Sequence, residues 1–478
     1  MKTKLAVVAG LVVALGAATA ALVGTHDIAT AAKAFAAGLI AAATGILALS
    51  LPGINVRGVV IGAVFVVAGV FTWTFTTRPL VIWLVLLLGG VAFIAWGRPY
   101  LPRARDVFKL GTSYLGIAYW VLGIVGAVLI WHPGVAAQRI LYAGVFTLAA
   151  MAVVATVRRG QDPTVALAAT MLVALALLFL AGSASIFDTL HAVPANASAQ
   201  LMKDRFWGGP LLWYHPNSMA GFAVAAAVRI GPDRAFALWQ RLAVTLVGGF
   251  TIFVTDSRIG FVFAVAAALV HGYVLLWRRG SNLPVYRRRW LAVAVPFAVV
   301  ALVLVVSGGR GFIFKDRFAG SDVTSGRTDT WRQVWVDWKH YGFAEKLFGD
   351  AEQTRAPVYR ANDLGPDGKP VALNTDNAAV GSFRRGGVLG ALAFLAGLVL
   401  LAWRALGWRS LGWRGSTPAA WFTVAALAAV PTLATEDWLL GGTNGGLWIL
   451  LVGGEALLLW QVKTAAETSL AEEPVIAS

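Results

Sequence analysis

Arginine is the side chain around which chemistry could be built in this sequence. It occurs in Thr255-Asp256-Ser257-Arg258-Ile259-Gly260 and in Gly326-Arg327-Thr328-Asp329-Thr330-Trp331-Arg332. It occurs again as the pair Arg384-Arg385, shortly after Asn374-Thr375-Asp376-Asn377. A further polar segment, Tyr214-His215-Pro216-Asn217-Ser218, carries a His and an Asn instead. A guanidinium presents a rigid fork of N–H donors that meets phosphate or carboxylate oxygens two at a time. Such segments suit binding of an anion and stabilisation of negative charge that develops during a reaction. Asp376 adds a group able to accept a proton. Other chemistries are excluded. The chain has no Cys, which removes disulfides, thiolate nucleophiles and Cys-bound metals together. His26, His132, His191, His215, His271 and His340 show none of the paired spacings of zinc sites, so neither a metal nor another cofactor is expected.

The elements that must position these residues are apolar. Of the 478 residues, 58% are hydrophobic and 13% charged, with a mean hydropathy of +0.73. A soluble domain carries roughly 25% charged residues. Apolar stretches of about 20 residues recur, each long enough to cross a hydrocarbon core of ~30 Å as a helix. They are uninterrupted, whereas barrel strands alternate apolar and polar residues. The expected fold is therefore an all-α polytopic membrane protein, one transmembrane domain over 1–478, with about fourteen (twelve to fourteen) spans. The spans are expected at 5–23, 32–51, 59–75, 80–97, 110–131, 139–157, 164–182, 216–230, 235–254, 259–277, 290–308, 387–406, 419–436 and 443–461. The first resembles a signal peptide, with Lys2 and Lys4 ahead of its apolar core, but the many later spans favour a retained helix.

The net charge of +16 invites a nucleic-acid partner, and its placement refuses one. With a cytoplasmic N-terminus, the alternate connections are basic: Arg57, Arg98 to Lys109, Arg158/Arg159, Arg229/Arg234/Arg241, Arg278 to Arg289, Arg404 to Arg414 and Lys463. This is the bias that keeps Lys and Arg on the cytoplasmic side. It sets both termini inside, in the cytoplasmic membrane, and puts two long segments, 183–215 and 309–386, outside. Arg258, Arg327, Arg384 and Arg385 then stand on the side that the bias depletes of Arg. Asp256 and Arg258 alone read as an interfacial anchor or a local Asp–Arg pair; together with Arg327, Arg384 and Arg385 they call for an anionic partner.

Between Trp331 and Tyr341, apolar residues recur at 331, 334, 335, 338 and 341. That is a helical spacing, and three tryptophans on the stripe favour a helix lying at the headgroup level, as an anchor or as a lid over a cavity. Glu455, inside the last span, is costly in lipid and is expected to face the bundle, paired with a cytoplasmic-side Arg. His26-Asp27 lies in the first outside loop, and Asn196-Ala197-Ser198 has the form of a glycosylation acceptor.

In order along the chain, His215-Pro216-Asn217, Ser257-Arg258-Ile259-Gly260 and Gly326-Arg327 with Trp331 precede Asp376-Asn377 and Gly386-Gly387-Val388-Leu389-Gly390. Over about residues 205–405 this resembles the O-antigen ligase/polymerase-like membrane glycosyltransferases, which have a GT-C-type helical fold. The resemblance implies transfer of a glycan from a polyprenyl-diphosphate carrier to the hydroxyl of a glycan or lipid acceptor, on the extracytoplasmic face, without a metal and with inversion. Arg258 and Arg327 match the arginines that bind the diphosphate. His215, Asn217, Trp331, Asn377, Arg384 and Arg385 line the substrate site in this reading. The family has a His-Asn pair where this chain has Asp376-Asn377, so Asp376 is either the general base or a group that orients the acceptor. The span count also exceeds the usual number for the ligases.

Rival readings have separate signatures. A transporter or flippase of a lipid-linked glycan or other anionic lipid would break its helices near the midplane in both halves, where this chain gathers its polar residues at one face. A peptidoglycan-type polymerase of another family predicts fewer spans and no Gly-Arg-x-x-x-Trp, and an inactive scaffold leaves the outer arginines unexplained. The partners expected are the lipid-linked donor, the acceptor and membrane lipids.

Overall fold

In the computed structural model of the chain, the residues described are 2–74, 102, 104–188, 205–209, 211–278, 327–349, 358–364, 370–373, 377–407, 417–430, 432 and 445–471. The apolar segments expected at 80–97 and 290–308 lie outside them; the others are each occupied, wholly or in part, by a helix. A helix satisfies its own backbone N–H and C=O groups, which apolar sequence in lipid requires.

The N-terminal helices α1 (Lys2–Thr25) and α2 (Ile28–Ser50) pack on each other, and α2 and α3 (Val56–Thr74) both pack on α6 (Pro163–Ala181). Asp27 between the first two is the N-cap of α2, accepting from the backbone N–H of Ala29 at 3.1 Å and of Thr30 at 2.9 Å. The acidic first loop is thus a helix cap. Next come α4 (Gly111–Leu129) and α5 (Pro133–Arg158), followed after α6 by α7 (Pro216–Ile230), α8 (Leu238–Val254) and α9 (Arg258–Arg278). The late segment contributes α10 (Arg327–His340) and α11 (Phe343–Phe348), and the chain closes with α12 (Ala378–Gly407), α13 (Thr417–Ala429) and α14 (Gly446–Ala471). Among the described residues, α2, α4, α5, α6 and α12 are long and apolar enough to cross a membrane.

Helix α7 is different in kind. At 15 residues it is roughly 22 Å long, short of a ~30 Å hydrocarbon core. Every residue but Ala227 is buried, and it packs against α6, α8, α9, α13 and α14. The segment expected as a short span is the central helix of this part of the bundle. A helix surrounded by protein need not reach both membrane surfaces.

Two antiparallel hairpins add to the all-α expectation: β1 (Gly208–Gly209) with β2 (Leu212–Trp213), and β3 (Val358–Leu364) with β4 (Pro370–Leu373). Helix α12 begins nine residues before the expected span at 387–406 and bends at Gly387, whose φ of 64° and ψ of −159° interrupt the helix. A side chain there would meet the Leu347 backbone at 2.3 Å. Gly387 therefore lets α11 dock into the bend, returning the late segment to the bundle.

Two of the buried charges described, Glu455 and Arg229, are ion-paired. Glu455 on α14 is fully buried. It forms an ion pair with Arg404 and accepts from the Gly111 N–H at 2.7 Å, the Thr112 N–H at 3.0 Å and the Thr112 hydroxyl at 2.8 Å. This is the Arg pair expected for that residue. Arg229 on α7 is held by Asp233 at 2.8 Å, Asp162 at 2.7 Å and the Thr164 hydroxyl at 2.6 Å.

Candidate functional site

The His-Pro-Asn segment and the Ser-Arg-Ile-Gly segment are far apart in sequence and meet in space. Pro216 opens α7, where its missing N–H costs nothing and its fixed φ favours the first turn. Just before it, the β1–β2 hairpin reverses the chain, pairing Gly208 with Trp213. The reversal carries Arg205 back to the start of α7. There the Arg205 guanidinium donates to Oδ1 of Asn217, and its Nε donates to the Thr255 carbonyl at 3.0 Å. The Ser257 hydroxyl donates to the same Asn217 oxygen at 3.2 Å. Arg205, Asn217, Thr255 and Ser257 are all buried. One amide oxygen thus joins three segments, and a buried knot of this kind is held in place because each broken bond would strand a polar group.

Arg258 is the next residue along. Ser257 is the cap of α9, accepting from the Gly260 N–H at 3.2 Å through its hydroxyl, which satisfies one orphan donor of the first turn. The preceding Asp256 takes a left-handed φ of 43°, a conformation that Asp tolerates better than most residues. Gly260 is required by space: a Cβ there would lie 2.8 Å from that of Ala220 on α7. Ser, Gly and the tight turn therefore hold the half-buried Arg258 at the head of α9 against the Asn217 end of α7. His215 sits beside them with its ring edge-on to Trp207 at 5.2 Å. Burial pushes the phenol of Tyr214 well above its usual range, so it is a neutral group at any working pH.

A second group surrounds the start of α12. Asn377 is the N-cap, accepting from the Val380 N–H at 2.9 Å. Arg385 places its guanidinium 5.6 Å from the centre of the Trp120 ring, a cation–π contact, and Trp120 stacks on Tyr142 at 4.9 Å. Arg384 is half-buried on the same turn. The tryptophan stripe is helical as expected: Trp335 stacks on Trp338 at 4.9 Å, and both lie against Phe383 of α12, at 6.1 and 5.6 Å. Trp331 is half-buried on α10. Arg327 is the first residue of α10; its side chain and the whole of Asp376 lie outside the described residues.

Two arginines that sequence reasoning passed over belong to these groups. Arg205 ties the knot around Asn217. Arg139, on α5, is fully buried and donates to the Gly123 carbonyl at 2.7 Å; a side chain on Gly123 would fall 2.6 Å from the carbonyl of Arg385. The signal that singled out Arg258 applied to both, since each falls on the side expected to be poor in Arg. Among the described residues no cluster of His, Asp and Glu could hold a metal ion.

The fold and these groups define a helical membrane protein whose polar residues are arranged around arginine. Residues 243–395 match the family described as O-Antigen ligase. Over that segment the match supports an O-antigen ligase/polymerase-like family, the one its motifs resemble. The match takes in Arg258, Arg327, Asp376, Asn377 and the Arg384-Arg385 pair, while His215 and Asn217 precede it. It supports a role in glycan transfer. None of the curated proteins compared matches the chain.

Proposed function

We propose that this protein transfers a glycan from a polyprenyl-diphosphate carrier to an acceptor hydroxyl at the extracytoplasmic face of the cytoplasmic membrane, with both termini cytoplasmic. The observation that carries this reading is the buried junction of Asn217, Arg205 and Ser257, which fixes Arg258 at the head of a helix inside the matched segment. No nucleotide sugar is available outside that membrane, so the donor arrives already activated on its lipid. Its departure leaves a diphosphate, and Arg258 and Arg327 stabilise that charge through forked hydrogen bonds in place of a metal. Asp376 takes the proton of the acceptor hydroxyl as it attacks the anomeric carbon, giving inversion. His215, Asn217, Asn377, Arg384, Arg385 and Trp331 form the walls around donor and acceptor. About fourteen spans in a GT-C-like bundle carry this site, with residues 309–386 as the loop over it.

The test is transfer from a lipid-linked glycan by the purified full chain, comparing wild type with Arg258→Ala and Asp376→Asn. Loss of one such donor lowers the rate about 10²–10³-fold, with Arg258→Lys a poor rescue. Loss of the base lowers kcat about 10²–10⁴-fold. A raised KM with unchanged kcat in Asp376→Asn would assign that residue to orienting the acceptor. Unchanged rates in both variants would overturn the proposal. In cells lacking the protein, single long lipid-linked chains mark a ligase, single repeat units a polymerase, and accumulation inside a flippase.

A further inference from the structure

An open groove of about 540 Å³ runs along the bundle between α8 and α9, with α7 as its floor. Leu242, Gly249, Phe253, Ala264 and Ala268 give it an apolar wall. Its lining includes Arg241, in the first turn of α8, and His271 of α9; Arg241 is the guanidinium among them. Arg241 is half-buried, and its Nε donates to the Gly231 carbonyl at 2.6 Å. Its guanidinium contrasts with those of Arg229, Arg158 and Arg404, which are ion-paired to carboxylates. Among the described residues no carboxylate forms an ion pair with Arg241.

We propose that this groove binds one anionic phospholipid, its phosphate on Arg241 and an acyl chain along α8 and α9. Charge complementarity selects the headgroup: a guanidinium with N–H groups to spare, set at the end of an apolar channel, meets a phosphate there at two points. Length selects the chain. From residue 241 to residue 253, where the groove meets Phe253, the helix rises roughly 18 Å, slightly more than the ~15 Å of hydrocarbon in one leaflet. Leu242 and Phe253 are also more than half exposed, so the groove opens sideways, and a lipid can enter from the bilayer without passing through water. The positive-inside bias puts Arg241 at the cytoplasmic leaflet, away from the proposed transfer site. The inference does not depend on the glycan-transfer reading, because lipid retention is measured without turnover.

The experiment is native mass spectrometry of the detergent-purified full chain titrated with dioleoyl-phosphatidylglycerol or dioleoyl-phosphatidylcholine, with melting temperature as the fold control. Phosphatidylglycerol is expected to be retained in preference. Arg241→Gln should weaken it about tenfold, as loss of a charge-assisted bond does, and Arg241→Lys should restore part of the affinity. Gly249→Leu should weaken it independently: a Cβ at Gly249 meets no protein atom within 4 Å, so the new side chain fills the groove without moving the backbone. If Arg241→Gln fails to fold, Gly249→Leu decides. Equal retention of the two lipids, undiminished retention in the variants, or displacement by inorganic phosphate alone would each overturn the assignment. Displacement by undecaprenyl phosphate that persists in Arg241→Gln would give the groove to a polyprenyl chain and overturn it as well.

Discussion

The two ends of the buried helix α7 use arginine in opposite ways. At its C-terminal end, Arg229 is held between Asp162 and Asp233, with Thr164 on its Nε and the rings of Phe236 and Trp421 at 5.4 and 5.0 Å. At its N-terminal end, the acceptors described for Arg205 are neutral, the Thr255 carbonyl and the Asn217 amide. The first arrangement joins α6, α7 and the turn after it through opposite charges, and so works as a clamp. The second orients three segments through directional hydrogen bonds and sets Arg258 beside them. Residue type alone does not separate a structural arginine from one in a candidate site; the chemistry of the acceptors does.

Three changes test this contrast, beginning with the largest. Arg229→Ala should cost about 3–5 kcal/mol, because it leaves a buried carboxylate at Asp233 without its partner. Thermal or denaturant unfolding in detergent reads this directly, and a loss under about 1 kcal/mol would show that the clamp is only surface-like.

At the other end, Asn217→Ala removes the shared acceptor of Arg205 and Ser257 and should cost about 1–3 kcal/mol. Asn217→Asp sharpens the comparison by building a charge pair where an amide stood. It should hold stability near wild type while lowering glycan transfer about tenfold, as a negative charge beside Arg258 opposes an anionic leaving group. If Asn217→Asp transfers at the wild-type rate, the neutral amide at Asn217 has no functional meaning.

The smallest effect is expected away from both ends, at Asp27. Its carboxyl is held below the usual carboxylate range, first by the Thr30 hydroxyl and then by the backbone N–H groups of Thr30 and Ala29. A group whose folded pKa is lowered adds stability above its unfolded value, near 4, and loses it as pH falls through the folded value. Asp27→Ala should therefore lower the melting temperature slightly at neutral pH. The difference from wild type should vanish in acid, and a difference that persists below the folded pKa would assign the effect to something other than the cap.

Much of this was legible in the sequence. Long apolar runs dictate helices, because a backbone in lipid has no other partner for its N–H and C=O groups. The spacing of Trp331, Trp335 and Trp338 dictated the helix Arg327–His340, and Glu455 was too costly in lipid to lack the pair it has in Arg404. His-Pro-Asn, Ser-Arg-Ile-Gly and Gly-Arg-x-x-x-Trp, through their order, led to the family that the match over 243–395 bears out. Only the tertiary structure decided the rest. Hydropathy cannot tell a helix facing lipid from one facing protein, since both surroundings are apolar, so the burial of 216–230 on every side was invisible. The positive-φ bend at Gly387 depends on α11 docking there, a contact between distant segments. The partnership of Arg205 with Asn217 depends on a two-stranded hairpin too short to leave a pattern. Local spacing reports what a residue can do; which residues meet is set by how the helices pack, and packing follows from shape summed over the whole bundle.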